Sequence, residues 1–482
     1  MVRVDGVSPL PRSAPREQGV DSRGVDAFVS ALQRTPGVDP HSLVLVRGDH
    51  VVAEGWWAPY APDRVHLLYS LSKSFTSAAL GLAVDEGLLD LDDRLLQHLP
   101  HLADDLPGGP AHDPVLRHLA SMASGHTWDT WVDAVAGDRR EPLRGFLALA
   151  PDGVPGTTFA YNQSCTYAVA AVVQQVTGRT LTEYLRPRLL DPLGIVDVWW
   201  QQHPDGRDLG FTGLHARTED LARFGRLLLR RGRLDGRQVL PAAWVDEATR
   251  PHVTTAGEEN PDWAQGYGYQ FWNARHGYRG DGAYGQFVVV LPEHDAVLAV
   301  TSESSDMQAV LDAAWEHLLP ALGAAPADDA PAHDDALAAR LAALSLPVED
   351  GRDRPDDESA WVAARLTPVT GGDDVPRDLG RVLVTEVDGT WTLRLHEGDE
   401  VLSAELGTEG WRTTEDASTA ATVPVATTAA WQPDGTLRVR LAFLEAPHGL
   451  RLVLDPRAGT ADVRWTTVPL RGDPDTTCAA PR

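Results

Sequence analysis

The spacing of hydrophobic and polar positions changes several times along the first two thirds of the chain. Residues 42–54 alternate between apolar and polar side chains, which is typical of a β-hairpin. Residues 65–250 follow mainly helical spacing, residues 265–302 return to strands, and residues 306–322 predict a closing helix. This order predicts an α+β unit, with an antiparallel sheet flanked by helices and an additional all-helical lobe.

The last third of the chain has a different pattern. Residues 323–360 are rich in Ala, Asp and Pro, which is typical of a linker. From about residue 378 the chain alternates, with Asp388-Gly389 and Asp434-Gly435 as tight-turn pairs between strands. We therefore predict a catalytic domain over 1–322, a linker over 323–360 and a C-terminal antiparallel β domain over 361–482.

Composition and charge exclude several classes of partner. The chain has 482 residues and a formal net charge of −27, which argues against nucleic acid and anionic membranes as partners. No apolar run reaches the roughly 18 residues of a membrane span, and the N-terminal residues lack the apolar core of a secretory signal, so we expect a cytoplasmic protein. The 17 histidines and 2 cysteines show no metal-binding spacing, so no metal or other cofactor is predicted.

Lysine use gives the sharpest chemical signal. Lys and Arg together number 42, yet Lys73 is the single lysine in the sequence. Arginine cannot lose its proton near neutral pH, whereas a desolvated lysine can, so a lysine survives where a neutral amine is needed. Ser70 lies three residues earlier, in a predicted helix over 70–86, and would share a helical face with Lys73.

These two residues predict a nucleophile and its base. Lys73 would take the proton of Ser70, and a free backbone N–H at the start of the helix would stabilise an oxyanion. The alternative is an exposed lysine on an ordinary helix.

The S-x-x-K pattern at the start of an apolar helix resembles that of the serine β-lactamase and penicillin-binding-protein family. The longer run over 69–78 is most similar to the branch that contains class C β-lactamases, family VIII esterases and D-aminopeptidases. Further segments resemble the same branch: 116–119, 124–126, 191–194 and 218–224. The resemblance implies a β-lactamase/transpeptidase-like fold, and in similar proteins the C-terminal β domain is lipocalin-like.

The resemblance also implies a second site element at Tyr161, Asn162 and Gln163. In the family's Y-x-N motif the tyrosine transfers protons, which suits a phenol whose pKa is lowered by nearby cations. We therefore expect Tyr161 to be catalytic and Asn162 and Gln163 to bind substrate. Gln163 departs from the pattern because asparagine is common there.

A third element, usually K-T-G or H-x-G, is expected before the strand at 286–291. Counting back places Arg279 where Lys or His would stand, so the predicted substrate-binding residues are Arg279, Asp281 and Gly282. His276 is an alternative to Arg279, and a Gly-rich turn that binds no ligand is another. The resemblance implies a second oxyanion donor among the backbone N–H groups of residues 282–285.

Together these features predict a serine hydrolase that acts through an acyl-enzyme on amide or ester bonds. β-Lactams, D-amino-acid peptides and short esters are all compatible, and a cytoplasmic location favours a peptidase or esterase. The alternatives are a penicillin-binding-protein-type peptide cyclase or thioesterase and a non-catalytic acyl-binding sensor with the same fold. The expected partner is a small-molecule or short-peptide substrate, and the sequence does not predict an oligomeric state.

Overall fold

The computed structural model describes residues 9–470, except for residues 105, 107, 108, 326, 356, 362 and 416–423. Two large sheets dominate the described chain, one of six strands and one of nine. The six-stranded sheet lies within the N-terminal two thirds, and the nine-stranded sheet is formed by the C-terminal third. Among the described residues, no helix is long and apolar enough to cross a membrane.

The six-stranded sheet is antiparallel and has the order β2-β1-β11-β10-β9-β8. The predicted hairpin over 42–54 is present and turns at Gly48 and Asp49, and β1 pairs directly with the late strand β11. The strands of the N-terminal part are β1 (Val38–Arg47), β2 (His50–Trp56), β3 (His66–Leu67), β4 (Trp199–Trp200), β5 (Leu214–Ala216), β6 (Arg233–Leu234), β7 (Arg237–Gln238), β8 (Trp272–Asn273), β9 (Tyr278–Gly282), β10 (Gln286–Leu291) and β11 (Ala296–Ser304).

Helices cover both faces of this sheet and form a lobe beside it. The described α-helices are α1 (Ser22–Arg34), α2 (Ser72–Asp85), α3 (Leu95–His98), α4 (His101–Asp104), α5 (Leu116–Ala120), α6 (Trp131–Gly137), α7 (Pro142–Ala148), α8 (Gln163–Thr177), α9 (Leu181–Leu185), α10 (Asp191–Leu193), α11 (Thr218–Leu229), α12 (Ala242–Thr249), α13 (Met307–Ala313) and α14 (Ala330–Ala342).

Two separate cores explain this layering. Alternate residues of a strand point to opposite faces, so Val288 and Val290 of β10 join one core while Phe287 and Val289 join the other. The first core contains α2, α11 and the helical lobe, and the second contains α1 and α13. The predicted antiparallel sheet with flanking helices and a helical lobe is present.

The C-terminal sheet has the order β15-β14-β13-β12-β20-β19-β18-β17-β16, and all its neighbours are antiparallel except β12 and β20. Its two end strands, β15 and β16, approach each other: the Glu405 amide donates to the Thr414 hydroxyl at 2.8 Å. The sheet is therefore a nearly closed barrel, whereas its description as lipocalin-like remains a prediction. Its strands are β12 (Ala364–Pro368), β13 (Leu379–Val387), β14 (Thr390–Glu397), β15 (Glu400–Glu405), β16 (Arg412–Thr414), β17 (Val425–Trp431), β18 (Leu437–Phe443), β19 (Gly449–Asp455) and β20 (Thr460–Trp465).

The predicted linker contains a packed helix. Leu337 and Leu341 of α14 are spaced by one helical turn, and both are buried in the second core together with Val52 and Ala53 of β2. The Ala-rich composition of this segment predicts a linker, but part of the segment is a helix that packs on the six-stranded sheet. The domain boundaries themselves remain a prediction.

The barrel contacts the N-terminal part of the chain at the segment that precedes α2. Leu67 and Tyr69 are buried in the hydrophobic core of the barrel rather than in the core around α2. The Leu67 amide also donates to the Glu445 carbonyl at 2.8 Å. The segment that leads into α2 is therefore held between the two sheets.

Candidate active site

Ser70 lies in a single 3-10 turn, Tyr69–Leu71, that leads directly into α2. The first twelve residues of α2 are all buried, and their many Ser, Ala and Thr side chains allow close packing on every side. The Ser72 hydroxyl accepts a hydrogen bond from the Leu214 amide at 3.0 Å, which fixes the start of the helix against β5. The predicted helix therefore exists, but it begins after Ser70 rather than at it.

The Lys73 amine lies within hydrogen-bond distance of three oxygen atoms. Its Nζ lies 2.9 Å from Ser70 Oγ, 2.6 Å from Gln163 Oε1 and 2.8 Å from the Phe211 carbonyl oxygen. The amide and carbonyl oxygens can only accept hydrogen bonds. A neutral amine would donate its two N–H groups to them and direct its lone pair at the Ser70 hydroxyl.

The electrostatics of the site favour this neutral form. Lys73 is only 1% exposed, and burial lowers its pKa to about 7 from an ordinary value of 10.5, against the opposing negative charges of Asp129 and Asp281. A substantial fraction of Lys73 is therefore unprotonated near neutral pH. The alternative, an exposed lysine on an ordinary helix, is excluded by this burial.

Tyr161 lies beside the pair, with its ring centroid 4.8 Å from Lys73 Nζ. The ring stacks on Trp272 at 5.3 Å, which fixes the orientation of the phenol. Burial, followed by the negative charge of Asp281, raises the pKa of Tyr161 above its ordinary value of 10. The expectation that nearby cations lower this pKa is wrong, because desolvation and the charge of Asp281 outweigh the hydrogen bonds to Ser70 and Trp272 that lower it, and the resting group is a protonated phenol.

Asn162 and Gln163 begin α8, and the two side chains have different surroundings. The Asn162 side-chain oxygen caps the helix by accepting from the Ser164 amide at 3.1 Å, and it also accepts from the Thr130 hydroxyl at 3.0 Å. The Gln163 side chain instead reaches Lys73, while its backbone amide donates to Asp129 at 2.9 Å. The longer arm of glutamine thus allows the amide oxygen to hold the lysine.

Arg279 is fully buried behind the site. Its Nε donates to Asp281 at 3.0 Å and its Nη1 donates to the Asp262 carbonyl at 2.8 Å. Its guanidinium lies 4.3 Å from the ring centroid of Trp263. Because the side chain is 0% exposed, the structure places Arg279 where it supports Asp281 rather than on the surface that a substrate would contact.

The glycines of β9 face the opposite way, toward the nucleophile. A Cβ on Gly280 would lie 2.5 Å from Ser74 Oγ, and a Cβ on Gly282 would lie 2.0 Å from the Leu68 carbonyl oxygen. Both positions therefore need glycine for the strand to approach the Ser70 turn. The Gly285 amide donates to the Gly282 carbonyl at 3.2 Å, so the candidates for a second oxyanion donor narrow to the amides of residues 282–284.

His276 does not join this constellation. It is exposed in the connection between β8 and β9, where its ring contacts that of Trp315 at a centroid distance of 5.0 Å. The alternative that replaced Arg279 with His276 therefore has no support from the geometry.

A model of the beta-lactamase family matches residues 25–322, which is more than half of the chain. The chain belongs to this family. The match ends where the barrel-bearing C-terminal region begins, so family membership is a statement about the six-stranded sheet, its helices and the Ser70 site.

The curated relatives of this chain are named for three different activities. The chain is 29% identical to the 6-aminohexanoate-dimer hydrolase of Paenarthrobacter ureafaciens, over 58% of this chain and 78% of the relative. It is 29% identical to a D-aminopeptidase of Gluconobacter oxydans, over 40% of this chain and 39% of the relative. It is 31% identical to the lovastatin esterase of Penicillium rubens, over 36% of this chain and 47% of the relative.

A solved structure supports the same fold. A chain from Bacillus anthracis, described provisionally as a 6-aminohexanoate-dimer hydrolase, superposes with a TM-score of 0.52 at 21% identity, over 66% of this chain and 87% of that one. The prediction of a beta-lactamase-family hydrolase acting on amide or ester bonds is confirmed at this level.

Sequence reasoning missed two contributors to the site, the Phe211 carbonyl and Asp129, and one role of a third, Gln163. The Phe211 carbonyl is a backbone group, so no side chain signals it. Asp129 lies in a loop with no motif of its own. The structure identifies it as part of the site through the hydrogen bond from the Gln163 amide and through its negative charge near Lys73. Gln163 was expected to bind substrate, whereas the structure also makes it a partner of the lysine; the glutamine in place of asparagine was the available signal.

Proposed function

We propose that this protein is a serine hydrolase in which Ser70 is the nucleophile, Lys73 the base and Tyr161 a second proton-transfer group. The observation that carries the proposal is the set of three oxygens around Lys73 Nζ. Two carbonyl oxygens occupy both N–H groups of a neutral amine, and the third contact, at 2.9 Å, is the Ser70 hydroxyl. The lone pair is then positioned to accept the serine proton.

The reaction follows from these positions. Ser70 gives its proton to Lys73 as Oγ bonds to the substrate carbonyl carbon, and the oxyanion is stabilised by backbone N–H groups. The bond to the leaving amine or alcohol breaks as Tyr161 protonates that group, and protonated Lys73 returns a proton to the tyrosine. Water then attacks the acyl carbon, Lys73 accepts a water proton, and Ser70 leaves with it.

The first experiment is intact mass measurement after exposure to a serine-directed fluorophosphonate, with peptide mapping of the adduct. We expect one adduct per chain, located on Ser70 and absent from Ser70→Ala. Ser13→Ala, which removes a surface hydroxyl, is the matched control and keeps the adduct. An adduct that persists in Ser70→Ala, or no adduct on folded protein, contradicts the proposal.

We propose further that the preferred substrate is an amide with a free ammonium group near the scissile bond. Asp281 is buried beside Lys73 and Tyr161, and Asp129 lies at the exposed rim of the site. Arg279 pairs with Asp281, so the exposed carboxylate of Asp129 is the group that favours a cationic substrate over an anionic one. The names of two relatives, a 6-aminohexanoate-dimer hydrolase and a D-aminopeptidase, support the same class.

Matched substrates test this preference. Cleavage of 6-aminohexanoyl p-nitroanilide and of hexanoyl p-nitroanilide is compared, because the two differ only in the ammonium group. We expect kcat/KM to be about tenfold higher for the amine, as one ion-pair contact at a partly exposed site allows, and the ratio to fall in Asp129→Asn. Equal rates for the two anilides would contradict the substrate proposal while leaving the nucleophile assignment intact.

A further inference from the structure

We propose that the C-terminal barrel is a positioning element of the active site, which holds the Ser70 turn through a hydrogen bond between His448 and Tyr69. The inference rests on the proposed function of Ser70. It adds residues outside the region that the family model matches, namely the loop between β18 and β19 and the segment after β20.

Two tyrosines beside the site have strained backbones. Tyr69, which precedes Ser70, has a φ of 46°, and Tyr284, two residues after Gly282, has a φ of 65°. A left-handed conformation is strained for a bulky residue, and it persists only where the surroundings hold it. One strained residue therefore sets the direction of the nucleophile, and the other lies beside the expected oxyanion donor.

Both tyrosine hydroxyls are anchored in the barrel. Tyr69 Oη lies 2.5 Å from His448 Nε2, and Tyr284 Oη donates to the Val468 carbonyl at 2.5 Å. The rings also form an edge-to-face cluster, with centroid distances of 5.4 Å between the two tyrosines and 5.0 Å between Tyr284 and His448. The groups that hold both strained turns thus come from the C-terminal region.

The protonation of His448 follows from its partners. Its Nδ1 lies 3.1 Å from the Thr467 carbonyl oxygen, which can only accept, so Nδ1 carries the hydrogen. Burial lowers the pKa of His448 to about 3, so the ring is neutral and Nε2 is an acceptor. Tyr69 therefore donates its hydroxyl hydrogen to His448.

The hydrogen bond between Tyr69 and His448 is the first of a series of hydrogen bonds that extends to the six-stranded sheet. The Thr467 hydroxyl lies 3.1 Å from His448 Nδ1 and donates to Glu303 of β11 at 2.8 Å. Glu303 is itself buried and also accepts from the Thr466 hydroxyl. His448 is consequently fixed from two sides, as a residue that positions another must be.

The chain offers a matched pair of substitutions that tests the inference. Tyr69→Phe removes the hydroxyl that bonds His448. Tyr60→Phe removes a hydroxyl that also crosses to the barrel, donating to the Phe443 carbonyl at 3.3 Å, but whose ring packs against His41 and His66 and not in the cluster of Tyr69, Tyr284 and His448. Each variant is assayed for the rate at which a fluorophosphonate labels Ser70, for kcat and KM on an activated ester, and for melting temperature.

We expect Tyr69→Phe to slow labelling and to lower kcat by about tenfold with little change in KM, because a small displacement of the attacking oxygen is costly. Tyr60→Phe should leave both rates within about twofold of wild type. His448→Gln, whose amide oxygen can accept from Tyr69, should keep more activity than His448→Ala. Equal effects of the two tyrosine variants, or a wild-type rate in Tyr69→Phe, would overturn the inference.

A readout that needs no catalysis separates this inference from the proposed function. If wild type does not label at Ser70, the proposed function fails. Hydrogen exchange of the peptide over 66–75 still tests the barrel contact: Tyr69→Phe should speed exchange in that peptide and Tyr60→Phe should not. Unchanged exchange in both variants would show that the barrel does not hold the turn.

Discussion

Lys73 and Arg279 are two buried cations close to the same site, and they serve opposite purposes. Lys73 is 1% exposed and Arg279 is 0% exposed, so both pay for desolvation. Lys73 contacts three neutral oxygens, whereas Arg279 contacts the carboxylate of Asp281 and backbone carbonyls. Burial lowers the pKa of Lys73, whose three contacts carry no charge to oppose it, whereas the carboxylate of Asp281 opposes the effect of burial on Arg279.

The difference shows why burial alone does not identify a catalytic group. Lysine can become neutral at a pH near 7, and arginine cannot. The buried lysine is therefore suited to chemistry, and the buried arginine is suited to holding Asp281 and the Trp263 ring in place. Four predictions test this contrast.

Lys73→Arg has the largest expected effect. Because arginine stays protonated, it cannot accept the Ser70 proton, and we expect kcat/KM to fall by about 10³-fold or more. The fluorophosphonate labelling rate should fall in parallel while circular dichroism shows a folded protein. A variant that keeps full turnover would remove Lys73 from the role of base.

The proton affinity of Lys73 can be measured directly because it is the single lysine. In protein labelled with ¹³C at lysine Cε we expect one lysine resonance, which titrates near pH 7 and not near 10.5; this is about a 10³-fold weaker proton affinity. The labelling rate of Ser70 should rise with pH to a plateau above the same midpoint.

The lowered pKa of Lys73 also determines the direction in which the free energy of unfolding changes with pH. Between pH 7 and 10.5 the unfolded chain holds the lysine proton that the folded chain has lost, so the contribution of this group to the free energy of unfolding increases with pH there. A midpoint near 10.5 would instead show a charged lysine and would erase the contrast with Arg279.

Arg279→Met should act on stability. It leaves the Asp281 carboxylate buried without its guanidinium partner, which we expect to lower the free energy of unfolding by about 3 kcal/mol in urea unfolding followed by tryptophan fluorescence. The double variant Arg279→Met/Asp281→Leu should recover part of that loss because no buried charge remains. A folded Arg279→Met protein of wild-type stability would mean that the pair contributes nothing.

Gln163→Ala has the smallest expected effect of the four. It removes one acceptor from Lys73 Nζ, and we expect the labelling rate of Ser70 to fall by about tenfold through poorer orientation of the amine. Gln175→Ala removes an exposed glutamine from the same helix, α8, and should leave the rate unchanged. Equal rates in all three proteins would remove Gln163 from the set of groups that orient the base.

The part of the site that could be predicted from sequence is the part carried by local spacing. Ser70 and Lys73 lie three residues apart, so a helical turn brings them together regardless of the rest of the chain. Tyr161 could be placed by its resemblance to a motif. Asp129 and the Phe211 carbonyl reach Lys73 only through tertiary packing, which no local pattern encodes.

The fold shows the same division. The hairpin at β1 and β2 and the alternating strands of the C-terminal region follow a period of two, so their sequence predicts them well. The segment over 323–360 was predicted as a linker because Ala and Pro weaken any periodic signal, and its packing against β2 depends on a partner 280 or so residues away in the chain. The approach of the barrel to Tyr69 had no signal in either segment.

The two glycines of β9 have a consequence for how this protein can diverge. Gly280 and Gly282 lie against the Ser70 turn, where even one added carbon would collide with Ser74 or with the Leu68 carbonyl. Arg279 and Asp281 alternate with them and point to the other face. Over evolutionary time, coupled changes at 279 and 281 can alter the residues of the motif while the close approach of β9 to the Ser70 turn is kept.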